Sequence, residues 1–183
     1  MLLRDLPESL RKQVSTYTNV LGEVVVSDLR PCAGKSAQES GKVFEDVVEH
    51  IILNKKMVFS NLGKNISLIK KPKFKCHFGL EREGDFFISC DKYNIHLEAK
   101  QLGDVQSHFD KLSHCLLNVI SGCYGNHFWL VYDYNRNCKK SAKQKIKSLV
   151  ERCEEVKNQV KLQGITFELI HIDDLSGHIA KLV

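Results

Sequence analysis

Alternating and continuous hydrophobic runs along the chain predict the strands of a sheet. The clearest alternation is residues 95–100 (Ile-His-Leu-Glu-Ala-Lys), in which apolar and polar side chains point to opposite faces of one strand. Residues 127–133 are instead almost continuously apolar, which is typical of an interior strand covered on both faces. The other segments rich in strand-forming residues are 24–26, 66–75 (a strand, or a strand and a loop), 84–90 and 165–172.

Apolar residues recur at helical spacing in the segments between these strands. The strongest helix begins at a capping box, Ser36-Ala-Gln-Glu39, and carries an apolar stripe from Val43 to Ile52. Glu45 lies at the edge of that stripe. The remaining predicted helices cover residues 7–21, 105–120, 141–163 and a short segment from Leu175.

The order of these elements from the capping box onwards predicts the fold class. It is αβββαβαβ, and long helices separate the later strands, so those strands are joined by crossovers. We therefore expect a three-layer α/β fold in which a central mixed sheet is flanked by helices. A chain of 183 residues is the size of one domain.

Composition and charge narrow the possible functions. The net charge of +5 is mild and permits a polyanionic partner without requiring one. There is no apolar run of about 18 residues and no secretory signal, which indicates no membrane insertion. Seven cysteines without any Cys-x-x-Cys pair suggest reduced thiols in a cytoplasmic protein. The same cysteines and the eight histidines lack the paired spacing of a zinc site.

One group of residues has the pattern of a catalytic site. Twelve residues separate Asp85 from Glu98-Ala99-Lys100, a spacing that fits a hairpin with both carboxylates at one end. Two such carboxylates form a hard-oxygen site suited to Mg²⁺. Lys100 reaches the same place, where it can position or help deprotonate a water and offset the charge of a phosphate. The pattern predicts metal-assisted attack of water on a phosphodiester.

The residues Gly84-Asp85 and Glu98-Ala99-Lys100, after a helix that contains Glu45, resemble the PD-(D/E)XK nuclease superfamily. Its restriction-endonuclease-like αβββαβ core is similar to the order predicted above, over residues 36–135. Gly84 stands where the family name has proline.

The resemblance implies a role for each matched residue. Asp85, Glu98 and the backbone carbonyl of Ala99 would bind the metal, Mg²⁺ or Mn²⁺ in its place, and Lys100 would orient the water. Glu45 would be the accessory acidic residue that completes a second metal site or holds the lysine.

Further residues are candidates for contact with the substrate. Gln106 and His108 begin the helix after the motif strand, where members of the superfamily contact a phosphate or a water. Lys71, Lys73 and Lys75 lie in a basic segment just before Asp85 and are expected to contact DNA phosphates. The alternative for the basic residues is an ordinary solvated face.

These expectations define a function with open alternatives. Residues 1–183 would form a single nuclease domain, with an N-terminal extension (1–35), a catalytic core (36–135) and a C-terminal completion (136–183). The expected activity is that of a Mg²⁺-dependent DNA endonuclease, best matched by a homodimeric type II restriction enzyme. The alternatives are a Holliday-junction resolvase or repair nuclease of the same fold, or a non-catalytic nucleic-acid-binding α/β domain. A second Glu-x-Lys, Glu155-Val156-Lys157, lies in a predicted helix and is not expected to form a site.

Overall fold

The strands and helices below come from a computed structural model. It describes most of the chain, namely residues 1, 3–18, 20–28, 37–102, 106–134 and 140–182.

The strands in the described part of the chain are β1 (Ser15–Thr18), β2 (Val24–Asp28), β3 (Ile66–Lys70), β4 (Lys73–Lys75), β5 (Glu81–Glu83), β6 (Phe86–Cys90), β7 (Asn94–Leu102), β8 (His127–Tyr134) and β9 (Thr166–His171). The helices are α1 (Glu8–Arg11), α2 (Ala37–Asn61), α3 (Gln106–Ile120), α4 (Lys140–Lys161) and α5 (Ile172–Ala180). None of the described helices is both long and apolar enough to cross a membrane.

Five of the strands form one mixed sheet in the order β3-β6-β7-β8-β9. The pairs β3–β6 and β6–β7 are antiparallel, whereas β7–β8 and β8–β9 are parallel and are connected through α3 and α4. The element order α2-β3-β6-β7-α3-β8 within this sheet is αβββαβ. The predicted three-layer α/β class and its central mixed sheet are therefore confirmed.

Helices cover both faces of the sheet and bury two separate cores. One core joins the sheet to α2 and α5 through residues such as Phe44, Val131 and Leu175. The other joins the opposite face to α3 and α4 through residues such as Leu112 and Phe128. Strand β8 contributes to both cores, as predicted for an interior strand with two apolar faces.

The N-terminal helix predicted for residues 7–21 is wrong. Of the residues in this range that the structure describes, only Glu8–Arg11 is helical, and Ser15–Thr18 forms a strand that pairs antiparallel with β2. The Ser-Thr-Tyr-Thr sequence is rich in β-branched and aromatic residues, and the apolar strand β2 offers it a partner. The capping residue Ser36 lies outside the described residues, from which α2 begins at Ala37.

The basic segment 66–75 is divided between two sheets. Strand β3 ends at Lys70, and Pro72 has no N–H with which to continue the ladder. The chain then forms a separate β4–β5 hairpin in which Lys73 pairs with Glu83 and Lys75 with Glu81. This hairpin was not predicted, and it is inserted between the two sheet strands that lead to the candidate site.

The last helix begins earlier than the sequence pattern predicts. It starts at Ile172 rather than Leu175, because the His171 side chain accepts the Asp173 N–H and caps the first turn.

Candidate active site

Asp85 lies where the chain returns from the β4–β5 hairpin and enters β6. Its backbone is fixed to the outgoing chain, since the Lys71 N–H donates to the Asp85 carbonyl oxygen at 3.1 Å. Next to it, the Gly84 N–H donates to the Pro72 carbonyl oxygen at 2.9 Å. The Asp85 side chain is buried, and its Oδ2 accepts the backbone N–H of Ala99 at 2.9 Å. The carboxylate is therefore held against β7.

Glu98 and Lys100 project from the same face of β7, because side chains two residues apart on a strand share a face. Lys100 Nζ donates to Asp85 Oδ2 at 2.9 Å and to Glu98 Oε2 at 2.6 Å. One ammonium thus contacts both carboxylates, and all three side chains are mostly removed from solvent. The three residues singled out by the motif meet at one point.

Burial and charge push the pKa values of the two carboxyl groups in opposite directions. Burial and the neighbouring charge of Asp85 raise the pKa of Glu98 to about 7, against the opposing effect of Lys100. Burial also acts on Asp85, but the Lys100 ammonium and the Ala99 N–H outweigh it and lower the pKa of Asp85. Burial disfavours the Lys100 ammonium, yet Glu98 and Asp85 outweigh it and raise its pKa. Carboxyl pairs with separated pKa values are characteristic of catalytic sites.

Glu45 and Lys71 extend the cluster on the other side of Asp85. Glu45 lies on α2, where its partly buried side chain accepts a hydrogen bond from Lys71 Nζ at 2.7 Å. The same Nζ lies 3.3 Å from Asp85 Oδ1. Burial is again outweighed, chiefly by Glu45, and the pKa of Lys71 is raised. Glu45 therefore reaches Asp85 through Lys71 rather than through Lys100, and its implied role as the accessory acidic residue stays a prediction.

An open groove of about 510 Å³ leads to Glu98 and Lys100 between the β4–β5 hairpin and α3. Tyr124 forms part of its wall, and its hydroxyl donates to Glu98 Oε1 at 3.4 Å. The ring of Phe74 packs on that of Tyr124, with the ring centroids 4.6 Å apart, so the two rings form one wall of the groove. Tyr124 was not identified from the sequence. The only local signal for it is its position in a turn between Gly122 and Gly125, both of which have a positive φ.

The predicted substrate contacts occupy different surroundings. Lys71 pairs with Glu45 and Asp85 although its side chain is 46% exposed, whereas Lys73 is 65% exposed and pairs with Glu81 at 2.8 Å. Lys75 is exposed on the hairpin. Gln106 and His108 lie in the first turns of α3, and their side chains are outside what the structure describes. Contact of these residues with DNA stays a prediction.

The residues of this cluster fit a hard divalent cation. Among the described residues, no three His, Cys, Asp or Glu side chains are arranged to hold a metal ion together. Mg²⁺, however, keeps several waters and is usually bound by only one or two carboxylates, and Asp85 and Glu98 supply two. A Cβ at Gly84 would lie 3.3 Å from Glu98 Oε1, so the missing side chain leaves open space beside that oxygen. The Ala99 carbonyl stays a predicted ligand.

Comparisons with known proteins add little to this geometry. No family model matches the chain, and no curated protein has a significant match. Among solved structures, it is similar to Pyrococcus furiosus SfsA in complex with Ca²⁺, with 15% identity, coverage of 86% of this chain and 68% of that chain, and a TM-score of 0.38. It is also similar to AF1548, a protein of unknown function, with 13% identity, coverage of 68% and 64%, and a TM-score of 0.31. Similarities this weak assign neither a family nor a function.

Proposed function

We propose that this chain is a metal-dependent nuclease that hydrolyses phosphodiester bonds in DNA. The observation that supports this most strongly is the single ammonium of Lys100 in contact with the carboxylates of Asp85 and Glu98, 2.9 and 2.6 Å away. A buried pair of carboxylates with a lysine is costly to maintain. Such a group at the end of a groove is better explained by chemistry than by stability.

Each side chain has a defined task in this proposal. Asp85 and Glu98 would hold a Mg²⁺ ion, which when bound polarises the phosphate and stabilises the charge that develops as water attacks. Lysine has three N–H donors, of which two contact the carboxylates. The third is available to a water or a phosphate oxygen, so Lys100 can hold the attacking water. Tyr124 restrains Glu98 from the opposite side.

The DNA substrate is supported by charge and by access. The net charge of +5 favours association with a polyanion. The groove beside Lys100 is lined by Arg82 and by the aromatic rings of Phe74 and Phe78. Phe78 is 70% exposed at the end of the hairpin, where an aromatic ring is available to stack on a base. A strand that entered this groove would bring its phosphate to Lys100.

Within this class we propose a type II restriction endonuclease that acts as a homodimer. One chain carries one cluster of Asp85, Glu98 and Lys100, and cutting both strands at one place needs two such sites. A Holliday-junction resolvase or repair nuclease would use the same cluster on a different DNA shape.

The test is incubation of the purified chain with supercoiled plasmid and long linear DNA, in Mg²⁺ and in EDTA. We expect Mg²⁺-dependent cutting by the wild type and by Glu155→Gln, and none by Asp85→Asn. Discrete fragments would support the restriction role, whereas nicking or cutting of branched DNA would support repair or resolution. Absence of Mg²⁺-dependent cleavage of plasmid, branched DNA and RNA, with binding retained, would overturn the proposal in favour of a binding domain.

A further inference from the structure

Two lysines hold Asp85 from opposite sides. Lys100 contacts Oδ2, and Lys71 contacts Oδ1 at 3.3 Å. Lys71 Nζ is also 2.7 Å from Glu45 Oε2, so it bridges Glu45 and Asp85. If the proposed nuclease function holds, Glu45 and Asp85 are a second pair of carboxylates between which a metal ion could bind. An ammonium already occupies that position.

The backbone directs Lys71 into this position. Its φ is 50°, and it is the one residue other than glycine with a positive φ among those the structure describes. A positive φ is unfavourable for residues with a side chain, so this conformation of Lys71 needs support from its surroundings. The support comes from the hydrogen bond of the Lys71 N–H to the Asp85 carbonyl oxygen. Asp85 therefore both contacts the Lys71 ammonium and fixes the backbone of Lys71.

The charges of the cluster favour one divalent cation over two. The carboxylates of Glu45, Asp85 and Glu98 carry three negative charges, and Lys71 and Lys100 carry two positive ones, which leaves one negative charge when all are ionised. One divalent cation turns this into a single positive charge, which a phosphodiester neutralises. A second cation would leave a large positive excess, at a high electrostatic cost in a partly buried site.

We propose that Lys71 is a built-in cation that takes the place of a second metal ion between Glu45 and Asp85, so that the site binds one divalent cation beside Glu98. This inference rests on the proposed nuclease function and specifies its metal requirement.

The test counts bound Mn²⁺ ions by electron paramagnetic resonance of free Mn²⁺ at saturating concentration. We expect one ion per wild-type chain and two per chain in Lys71→Met. Lys70→Met is the matched control and should bind one ion. Lys70 pairs with Glu49, which lies one helical turn after Glu45 on α2, at the same distance of 2.7 Å. The double variant Lys71→Met/Glu45→Gln should return to one, which places the second ion on Glu45.

A second variant guards against misfolding. Lys71→Gly removes the ammonium and suits the positive φ, so it should fold and bind two ions. Thermal melting of each variant confirms that the fold is intact.

Each contrary outcome has a distinct meaning. Two ions on the wild type, or one on both Lys71 variants while Mg²⁺-dependent cutting persists, would overturn the role of Lys71 and leave the nuclease proposal standing. No Mn²⁺ on any protein would overturn both.

Discussion

The sequence contains the pattern Glu-x-Lys twice, and the two copies behave differently. In Glu98-Ala99-Lys100 the strand places both side chains on one face, with Lys100 Nζ 2.6 Å from Glu98 Oε2. In Glu155-Val156-Lys157 the helix rotates the two side chains about 200° apart. Glu155 pairs with Arg152 and Lys157 pairs with Glu168 of β9 at 2.8 Å. The Glu-x-Lys sequence brings its two charged side chains together only where the secondary structure places them on one face.

Burial is the second difference between the two copies. The side chain of Glu98 is 9% exposed, whereas that of Glu155 is 64% exposed. Water screens the ion pairs of the helix, so those pairs contribute little to stability. At Glu98 the loss of water strengthens each contact and raises the pKa of the carboxyl group. A catalytic use of the pattern therefore requires both convergence and desolvation.

The largest effect is expected where a lysine is removed from each copy. Lys100→Met should leave two buried carboxylates without their ammonium, which costs about 3 kcal/mol or more in the free energy of unfolding and abolishes cutting. Lys157→Met should cost less than about 1 kcal/mol and leave cutting unchanged. Urea denaturation and plasmid cleavage measure both. Normal cutting by Lys100→Met, or its loss in Lys157→Met, would reverse the assignment.

Replacement of each glutamate by glutamine isolates metal binding from folding. Glu98→Gln should weaken Mn²⁺ binding about 100-fold, in the range seen when metal sites lose supporting groups. Its cost to stability in EDTA should be smaller than that of Lys100→Met, because Asp85 still pairs with the Lys100 ammonium and burial already disfavours the charge of Glu98, whose pKa is raised to about 7. Glu155→Gln is the control and should bind Mn²⁺ like the wild type. Equal Mn²⁺ affinity of the two variants would remove Glu98 from the metal site.

A smaller effect is expected from the residue that gives Glu98 its space. A Cβ in Gly84→Ala would lie 3.3 Å from Glu98 Oε1 and 3.5 Å from the Pro72 ring, so the carboxylate should shift by a few tenths of an ångström. We expect cleavage rates to fall several-fold, since catalysis is sensitive to such misplacement. Gly41→Ala, in α2 with no atom within 4 Å of its added Cβ, should cut normally. Equal rates for the two variants would show that Glu98 tolerates the methyl group.

The smallest effect belongs to the ion pair of the helical copy. A double-mutant cycle on Lys157→Met and Glu168→Gln should give a coupling energy of about 0.2–1 kcal/mol, because the two side chains are still 35% and 33% exposed and water screens the pair. The measurement is urea denaturation of the four proteins. A coupling of several kcal/mol would mean that exposure does not separate the two copies.

The sequence was sufficient to predict the central mixed sheet and the convergence of Asp85, Glu98 and Lys100. Strict alternation at residues 95–100 placed Glu98 and Lys100 on one face, and the spacing to Asp85 indicated a hairpin. Helical periodicity put Glu45 at the edge of the buried stripe of α2, from which it reaches the cluster through Lys71. These features depend on local periodicity, which a single sequence records directly.

The remaining features depend on how separate elements meet, which periodicity does not record. Lys71 is predicted to contact DNA and its side chain is 46% exposed, but periodicity does not record that a left-handed turn also directs its ammonium to Asp85 and Glu45. Tyr124 reaches Glu98 from the turn after α3, and only the packing of that helix on the sheet brings them together. The predicted helix over residues 7–21 failed because the partner strand β2 decides the structure of Ser15–Thr18.

The β4–β5 hairpin leaves the sheet after Lys70 and returns at Phe86, which are themselves paired across β3 and β6. Because this insertion begins and ends beside one cross-strand pair, its tip can change in sequence without altering the register of the sheet. Its base carries Lys71 and Asp85, and its tip carries Phe78 at the groove. Buried Cys76 and the His77–Asn118 hydrogen bonds tie the hairpin to α3, whereas Phe78 and Leu80 are exposed. Replacing these two exposed residues would alter the groove and leave Lys71 and Asp85 in place. Under the proposed function, the residues that admit a substrate and the residues that act on it therefore lie at opposite ends of one hairpin.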